Sequence, residues 1–117
     1  MAKLLWRPSE DKIKNSNIYR FMNFINERHH QDFKEYEPLY QWSIDNISDF
    51  WASFWEFAQI KFSKPYDRVI DDVSKMPGAK WFEGARLNFA ENLLSYTDDR
   101  IALIFRGEDQ VRREVTY

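Results

Sequence analysis

Trp81-Phe82-Glu83-Gly84-Ala85-Arg86-Leu87-Asn88-Phe89-Ala90-Glu91-Asn92-Leu93-Leu94 is the stretch on which the reading of the fold turns. Gly84 breaks a bulky aromatic pair. Asn88 is a good helix cap, and Glu91 follows three positions later, where its carboxylate can reach back to the cap's amide. The spacing predicts a helix over 89–95, preceded by a loop in which Trp81 and Phe82 act as core anchors. On that expectation Trp81→Ala would cost about 3–5 kcal/mol as a large-to-small core change. Junctions of this kind also occur in unrelated folds, so local chemistry alone defines a loop-to-helix joint.

Working outward, the amino-terminal side reads as helices. Ile18, Phe21, Met22 and Ile25 recur at helical spacing after Asn15-Ser16, a plausible cap, which predicts a helix over 17–28. Its polar face carries Arg20, Asn23, Asn26 and Glu27. Pro38 suits the first turn of a short helix that includes Leu39 and Tyr40. Ile47, Phe50, Trp51, Phe54, Trp55 and Ala58 fall on one helical stripe, widened by Phe57, so a further helix starts after Ser43 or Asn46.

On the carboxyl-terminal side regularity first fades and then changes period. Pro65 and Met76-Pro77-Gly78 punctuate 61–80, where Val69, Ile70 and Val73 fit a short strand or a turn of helix. After the 89–95 helix, Ile101, Leu103 and Phe105 alternate with Ala102, Ile104 and Arg106. Val111, Arg113, Val115 and Tyr117 resume an alternation beyond Gly107-Glu108-Asp109, which is a β-hairpin pattern. The fold class expected is mainly α with a terminal β-hairpin.

Composition narrows the function classes. At 117 residues, with 44% hydrophobic and 18% aromatic content, the chain is one domain or part of one, and wholesale disorder is excluded. The 17 basic and 19 acidic residues are interspersed and leave a net charge of -2, so neither nucleic acid nor an anionic membrane is an expected partner. With no cysteine, disulfides, thiol catalysis and thiolate metal sites are impossible. The opening Met1–Pro8 run is too short for a signal peptide, and no apolar stretch has the length to span a bilayer; a cytoplasmic location is expected.

Candidate chemistry is sparse. Gly78, Gly84 and Gly107 each stand alone between bulkier neighbours, so no phosphate-cradling loop is present. His29 and His30 are adjacent, and their side chains diverge on either regular structure; a solvated helix end is expected rather than a shared metal. Asp71-Asp72 and Asp98-Asp99 are likewise neighbours that rarely converge, and read as solvated loops. The stripe through Trp51, Phe54 and Trp55 lacks the clustered Lys and Arg of a base-stacking platform and reads as core. Ser9, Ser16 and Ser43 lack a nucleophile-elbow context and read as turn or cap residues. The expected catalytic, cofactor-binding and metal-ligating residues in this chain are therefore none.

Taken with Trp6-Arg7-Pro8-Ser9, Leu39-Tyr40-Gln41-Trp42-Ser43-Ile44, Phe50-Trp51 with Trp55 and Phe57, and Asp98-Asp99-Arg100-Ile101-Ala102, the stretch Trp81–Leu94 resembles the amino-terminal region of acetoacetyl-CoA synthetases, which are acyl-adenylate-forming ligases. The resemblance covers essentially the whole chain. It implies the amino-terminal piece of the α/β adenylate-forming ligase fold, with a helical cap of the acetyl-CoA synthetase type at 1–97 and the first strands of the adenylating domain at 98–117. It also implies that the phosphate loop, the residues reading adenine and ribose, the hinge and the lysine assisting acyl-adenylate formation lie downstream. ATP, Mg²⁺ and coenzyme A would then serve the complete enzyme, the partner would be the downstream adenylating domain of the same polypeptide, and this chain alone would be inactive and prone to associate. Asn88-Phe89-Ala90-Glu91-Asn92-Leu93-Leu94 fits the acetoacetate branch better than the acetyl branch, but the acyl pocket lies outside this segment. Two other readings stay open: a parent acting on another short-chain acid, and a free-standing helical module with an aromatic groove.

Overall fold

The computed structural model describes residues 3–117. Met1 and Ala2, which open the short apolar run considered above, lie outside the described residues. The chain forms two compact units, one comprising the residues up to Ile60 together with Asp67–Glu83, the other comprising Lys61–Tyr66 and Gly84–Tyr117.

Serine caps start the first unit. Ser9 Oγ accepts from the Lys12 amide at 3.4 Å and opens α1, Glu10–Lys14, a single turn that hydrophobic periodicity did not signal. Ser16 Oγ accepts from the Tyr19 amide at 3.2 Å and opens α2, Asn17–His29, close to the predicted span. His30 ends α2 in the left-handed conformation, φ 53°, and its amide donates to the Asn26 carbonyl. α3, Tyr36–Asp45, carries Pro38 in its first turn, as expected. Asn46 separates it from α4, Ile47–Phe57.

The apolar faces of these helices meet as their spacing dictates. Phe21, Met22 and Ile25 of α2 and Leu39 of α3 form the buried core, with Tyr19, Phe24, Phe33, Trp42, Phe50 and Phe57 packed around it. Phe21 is met edge-on by Phe50, Phe54 and Phe57 at 5.1–5.9 Å between centroids, the geometry that the ring quadrupoles favour. One expectation about α4 needs correction. Trp55 is buried, but Trp51 and Phe54 are 37% and 40% exposed, because the stripe is wider than the surface α2 can cover. The fully buried residue of α4 is Ser53.

A small hairpin completes this unit. β1, Arg68–Ile70, pairs antiparallel with β2, Trp81–Glu83; Arg68 faces Glu83 and forms an ion pair with it, which raises the guanidinium's pKa. Of the expected strand residues Val69 is buried, while Val73 lies outside and is 61% exposed. Phe82 adopts φ 47°, an uncommon conformation for an aromatic residue, and its ring lies 4.8 Å from that of Trp55. Trp81 is not the core anchor expected of it. It is 46% exposed and touches Trp51 edge-on at 5.9 Å, since side chains alternate across a strand and the face opposite Phe82 has no covering layer in this unit.

In the second unit Gly84 takes φ 84°, a left-handed conformation that a residue without a Cβ adopts readily. Asn88 Oδ1 accepts from the Glu91 amide at 3.3 Å and opens α5, Phe89–Leu93. The helix stops short of the predicted 95 because Leu94 leaves helical dihedrals. Asn92 ties α5 to the segment before β1: its Oδ1 accepts from the Lys61 amide at 2.8 Å and its Nδ2 donates to the Lys61 carbonyl at 2.9 Å. The predicted terminal hairpin follows as β3, Ile101–Arg106, and β4, Arg112–Thr116, antiparallel with Leu103 opposite Val115 and Phe105 opposite Arg113. The architecture is mostly helical with two small antiparallel hairpins, in agreement with the expected class.

Candidate functional site

Side-chain chemistry concentrates at the α2–α4 contact. His29, in the last turn of α2, places Nε2 2.8 Å from Ser53 Oγ, and the imidazole lies 4.9 Å from the Trp42 ring. At the preceding position, Arg28 grips Glu56, one turn along α4 from Ser53, through both guanidinium nitrogens, one of them 2.7 Å from Oε1. Asn26 closes the same end of α2: it donates to the Phe33 carbonyl and accepts from the Phe33 amide, both at 2.8 Å. The expectation of a solvated His29 is therefore corrected; only His30 projects at an exposed helix end. A Ser-His pair invites a nucleophile-and-base reading, but Ser53 is fully buried and no substrate carbonyl can approach its Oγ. The pair joins two helices.

Beside this junction α2, α3 and α4 enclose an apolar groove of about 400 Å³. Phe21 and Leu39 form its buried floor, and Ile18, Tyr40 and Phe54, all partly exposed, form its rim. No lysine, arginine or carboxylate lines it. A larger depression of about 760 Å³ at α1 has interleaved signs, with Arg7 and Glu10 paired at 3.7 Å, and so presents no single-sign field to a ligand.

The acidic pairs resolve into local structure. Asp71 Oδ1 accepts from the Lys80 and Asp72 amides at 2.8 Å, and Lys75 Nζ lies 3.0 Å from Oδ2. The Lys80 amide above all, then Lys75, holds the carboxyl well below its ordinary range, at about 2. Asp72 is lowered by the Ser74 hydroxyl and amide. Together they brace the 71–80 loop rather than face one another. Asp98 accepts from the Arg100 amide at 3.0 Å and pairs with its guanidinium at 2.9 Å, while that guanidinium sits 4.1 Å over the Tyr96 ring. Ser9 and Ser16 are caps as expected. Ser43 is not: it lies within α3 and donates to the Tyr40 carbonyl at 2.7 Å. Sequence reasoning missed Ser53, Asn26 and Asn92. For Ser53 a signal existed, a small polar residue set among the aromatics of an otherwise apolar stripe.

The comparisons place this architecture. Residues 36–93 match the acetyl-coenzyme A synthetase N-terminus family. The solved structure of acetoacetyl-CoA synthetase from Streptomyces lividans superposes with a TM-score of 0.82 at 34% identity, over 98% of this chain and 18% of that one. The fold is thus the amino-terminal piece of an adenylate-forming ligase. Over 92% of its length the chain is 41% identical to acetoacetyl-CoA synthetase of Macaca fascicularis, and over 98% it is 35% identical to a malonamoyl-CoA synthetase of Penicillium aethiopicum. Its sequence resembles the amino-terminal region of the acetoacetyl-CoA synthetases. The chain spans only 16% and 17% of the length of these two relatives.

Proposed function

We propose that this chain is the non-catalytic amino-terminal scaffold of an acetoacetate-CoA ligase. The complete polypeptide would activate acetoacetate with ATP and Mg²⁺ to an acyl-adenylate and pass the acyl group to coenzyme A, in the cytoplasm, as a step of lipid metabolism. Residues 1–97 would serve as a helical cap, and 98–117 would open the adenylating domain downstream. The observation that carries this reading is likeness to acetoacetyl-CoA synthetases in both sequence and structure along nearly the whole chain.

On this reading the sites for the phosphates of ATP and for magnesium belong to residues downstream of this chain. Gly78, Gly84 and Gly107 stand apart from one another in the sequence, and among the described residues no group of three or more His, Asp or Glu converges on a point where a cation could sit. No chemical step is therefore assigned to them. Among the described residues no helix is long and apolar enough to cross a membrane.

The test is to extend the reading frame beyond Tyr117 and assay acetoacetate- and ATP-dependent consumption of coenzyme A thiol. Activity is expected of the extended polypeptide and not of residues 1–117, which should also show no saturable, Mg²⁺-dependent ATP binding by calorimetry. The malonamoyl-CoA synthetase relative supports a second choice of acid, so malonamate and acetate belong in the same assay. The aromatic groove supports a different reading, a free-standing module that holds a peptide or helix; a reading frame ending at Tyr117 would favour it.

A further inference from the structure

We infer that the open edge of β3 is a self-association site, at which a second copy of this chain pairs antiparallel about a twofold axis through Ile104. Such pairing involves only the terminal hairpin, and so goes beyond the scaffold reading without depending on it. β3 has β4 on one side and, among the described residues, no strand on the other. Register shows which backbone groups stand on the open side. The Gly107 amide donates to the Val111 carbonyl at 2.8 Å, which makes Phe105–Arg113 and Leu103–Val115, two and four residues back along β3, the pairs that exchange hydrogen bonds within the hairpin. Backbone groups alternate in direction along a strand, so the amides and carbonyls of Ile104 and Arg106 point away from β4 and can pair with another strand.

Side-chain pairing across the axis selects a copy of the same strand. With Ile104 opposite Ile104, Leu103 of each copy falls opposite Phe105 of the other, a branched–aromatic pair at the closer, non-hydrogen-bonded spacing. The one charge of the strand, Arg106, falls opposite Ala102, so no like charges meet, and a net charge of -2 adds little repulsion between copies. β4 lacks this self-complementarity: centred on Arg113 or on Glu114, a pairing of β4 with itself sets two identical charges against each other. Ile101–Phe105 also carries neither the charge nor the proline that guards many edges, and its Leu103, Ile104 and Phe105 are exposed. Because both copies use the same edge, the contact is closed and the product is a dimer.

A charge swap on the axis tests this. Sedimentation equilibrium is measured on the 117-residue chain unchanged, as Ile104→Lys, as Ile104→Glu, and as an equimolar mixture of the two variants. The unchanged chain should form a concentration-dependent dimer. Each variant alone should dimerise about fivefold or more weakly, because two like charges then meet on the axis, and the mixture should regain most of that loss as opposite charges face each other. A monomeric unchanged chain, growth beyond a dimer, a variant that associates like the unchanged chain, or a mixture no stronger than its components would each overturn the proposal. Hydrogen exchange on the unchanged chain checks the edge without any variant. Protection of the Ile104 and Arg106 amides should rise with chain concentration, while Leu103 and Phe105, already bonded to β4, keep their rates. Exchange at Ile104 and Arg106 that ignores concentration would overturn the proposal as well.

Discussion

Ile25 of α2 is fully buried, whereas Ile104 of β3 is 65% exposed, although each sits in an apolar run of regular structure. The helices of the first unit each present one stripe and find two other stripes to meet, so Phe21, Met22, Ile25 and Leu39 leave water together. Among the described residues of its unit no layer packs on the β3–β4 hairpin, and Leu103, Ile104, Phe105 and Val115 remain 41–66% exposed. Side-chain links sharpen the contrast. α2 is pinned to α4 by His29–Ser53 and Arg28–Glu56, while in the strand pair Arg112 bonds Glu114 two positions on along β4 itself. The difference teaches that one region contains its own packing partner, while the other leaves the apolar side chains of its strands in water within its unit.

Ile25→Ala should test this hardest. It empties the best-packed point of the helical unit and is expected to cost about 2–5 kcal/mol in urea unfolding followed by tryptophan fluorescence. A loss below about 1 kcal/mol would break the comparison. Next comes His29→Ala, which leaves the buried Ser53 hydroxyl without its partner at an expected cost of about 1–3 kcal/mol. Ser53→Ala should cost less, since the imidazole, only partly buried, can turn toward water; the reverse order would mean that Ser53 is satisfied elsewhere. Trp81→Ala is expected to lose only the edge-to-face contact with Trp51, about 0.5–1.5 kcal/mol, rather than the price of a core cavity.

Asp71 supplies a pH test within the first unit. Its folded carboxyl titrates at about 2 against an ordinary 3.8, so its contribution is complete above about 3.8 and is lost as pH falls through about 2. A carbon-13 titration of the Asp71 carboxyl should show ionisation persisting below pH 3; a midpoint near 4 would mean that the Lys80 and Lys75 contacts do not hold in solution. Smallest of all, Ile104→Lys should change unfolding stability of the 117-residue chain by less than about 0.5 kcal/mol while reducing its self-association by sedimentation. A large destabilisation would show that the hairpin already packs against a partner.

Local rules made much of this molecule legible before any coordinates. Ser16 and Asn88 cap the helices they were expected to cap because an N-cap needs only its own side chain and an amide three residues on. The α2 stripe and the β3–β4 alternation were visible because helix and strand periods are fixed by the backbone. α1 escaped because one turn carries too little periodicity to register, and the burial of Trp81 was overestimated because aromatic character says nothing about which face of a strand is covered. The absence of a glycine-rich loop and of cysteine was also plain in the sequence, and it removed whole classes of chemistry without any knowledge of the fold.

Sequence by itself therefore determined the elements, their order and the likeness to the amino-terminal region of a CoA ligase, because capping, periodicity and motif spacing act over a few residues. Only the tertiary structure decided that His29 meets Ser53 across 24 positions, that Asn92 clasps Lys61 across 31, and that Trp51 and Phe54 stay partly in water. Those outcomes depend on which surfaces arrive opposite one another, and a side chain's burial is a property of its neighbours as much as of the residue itself.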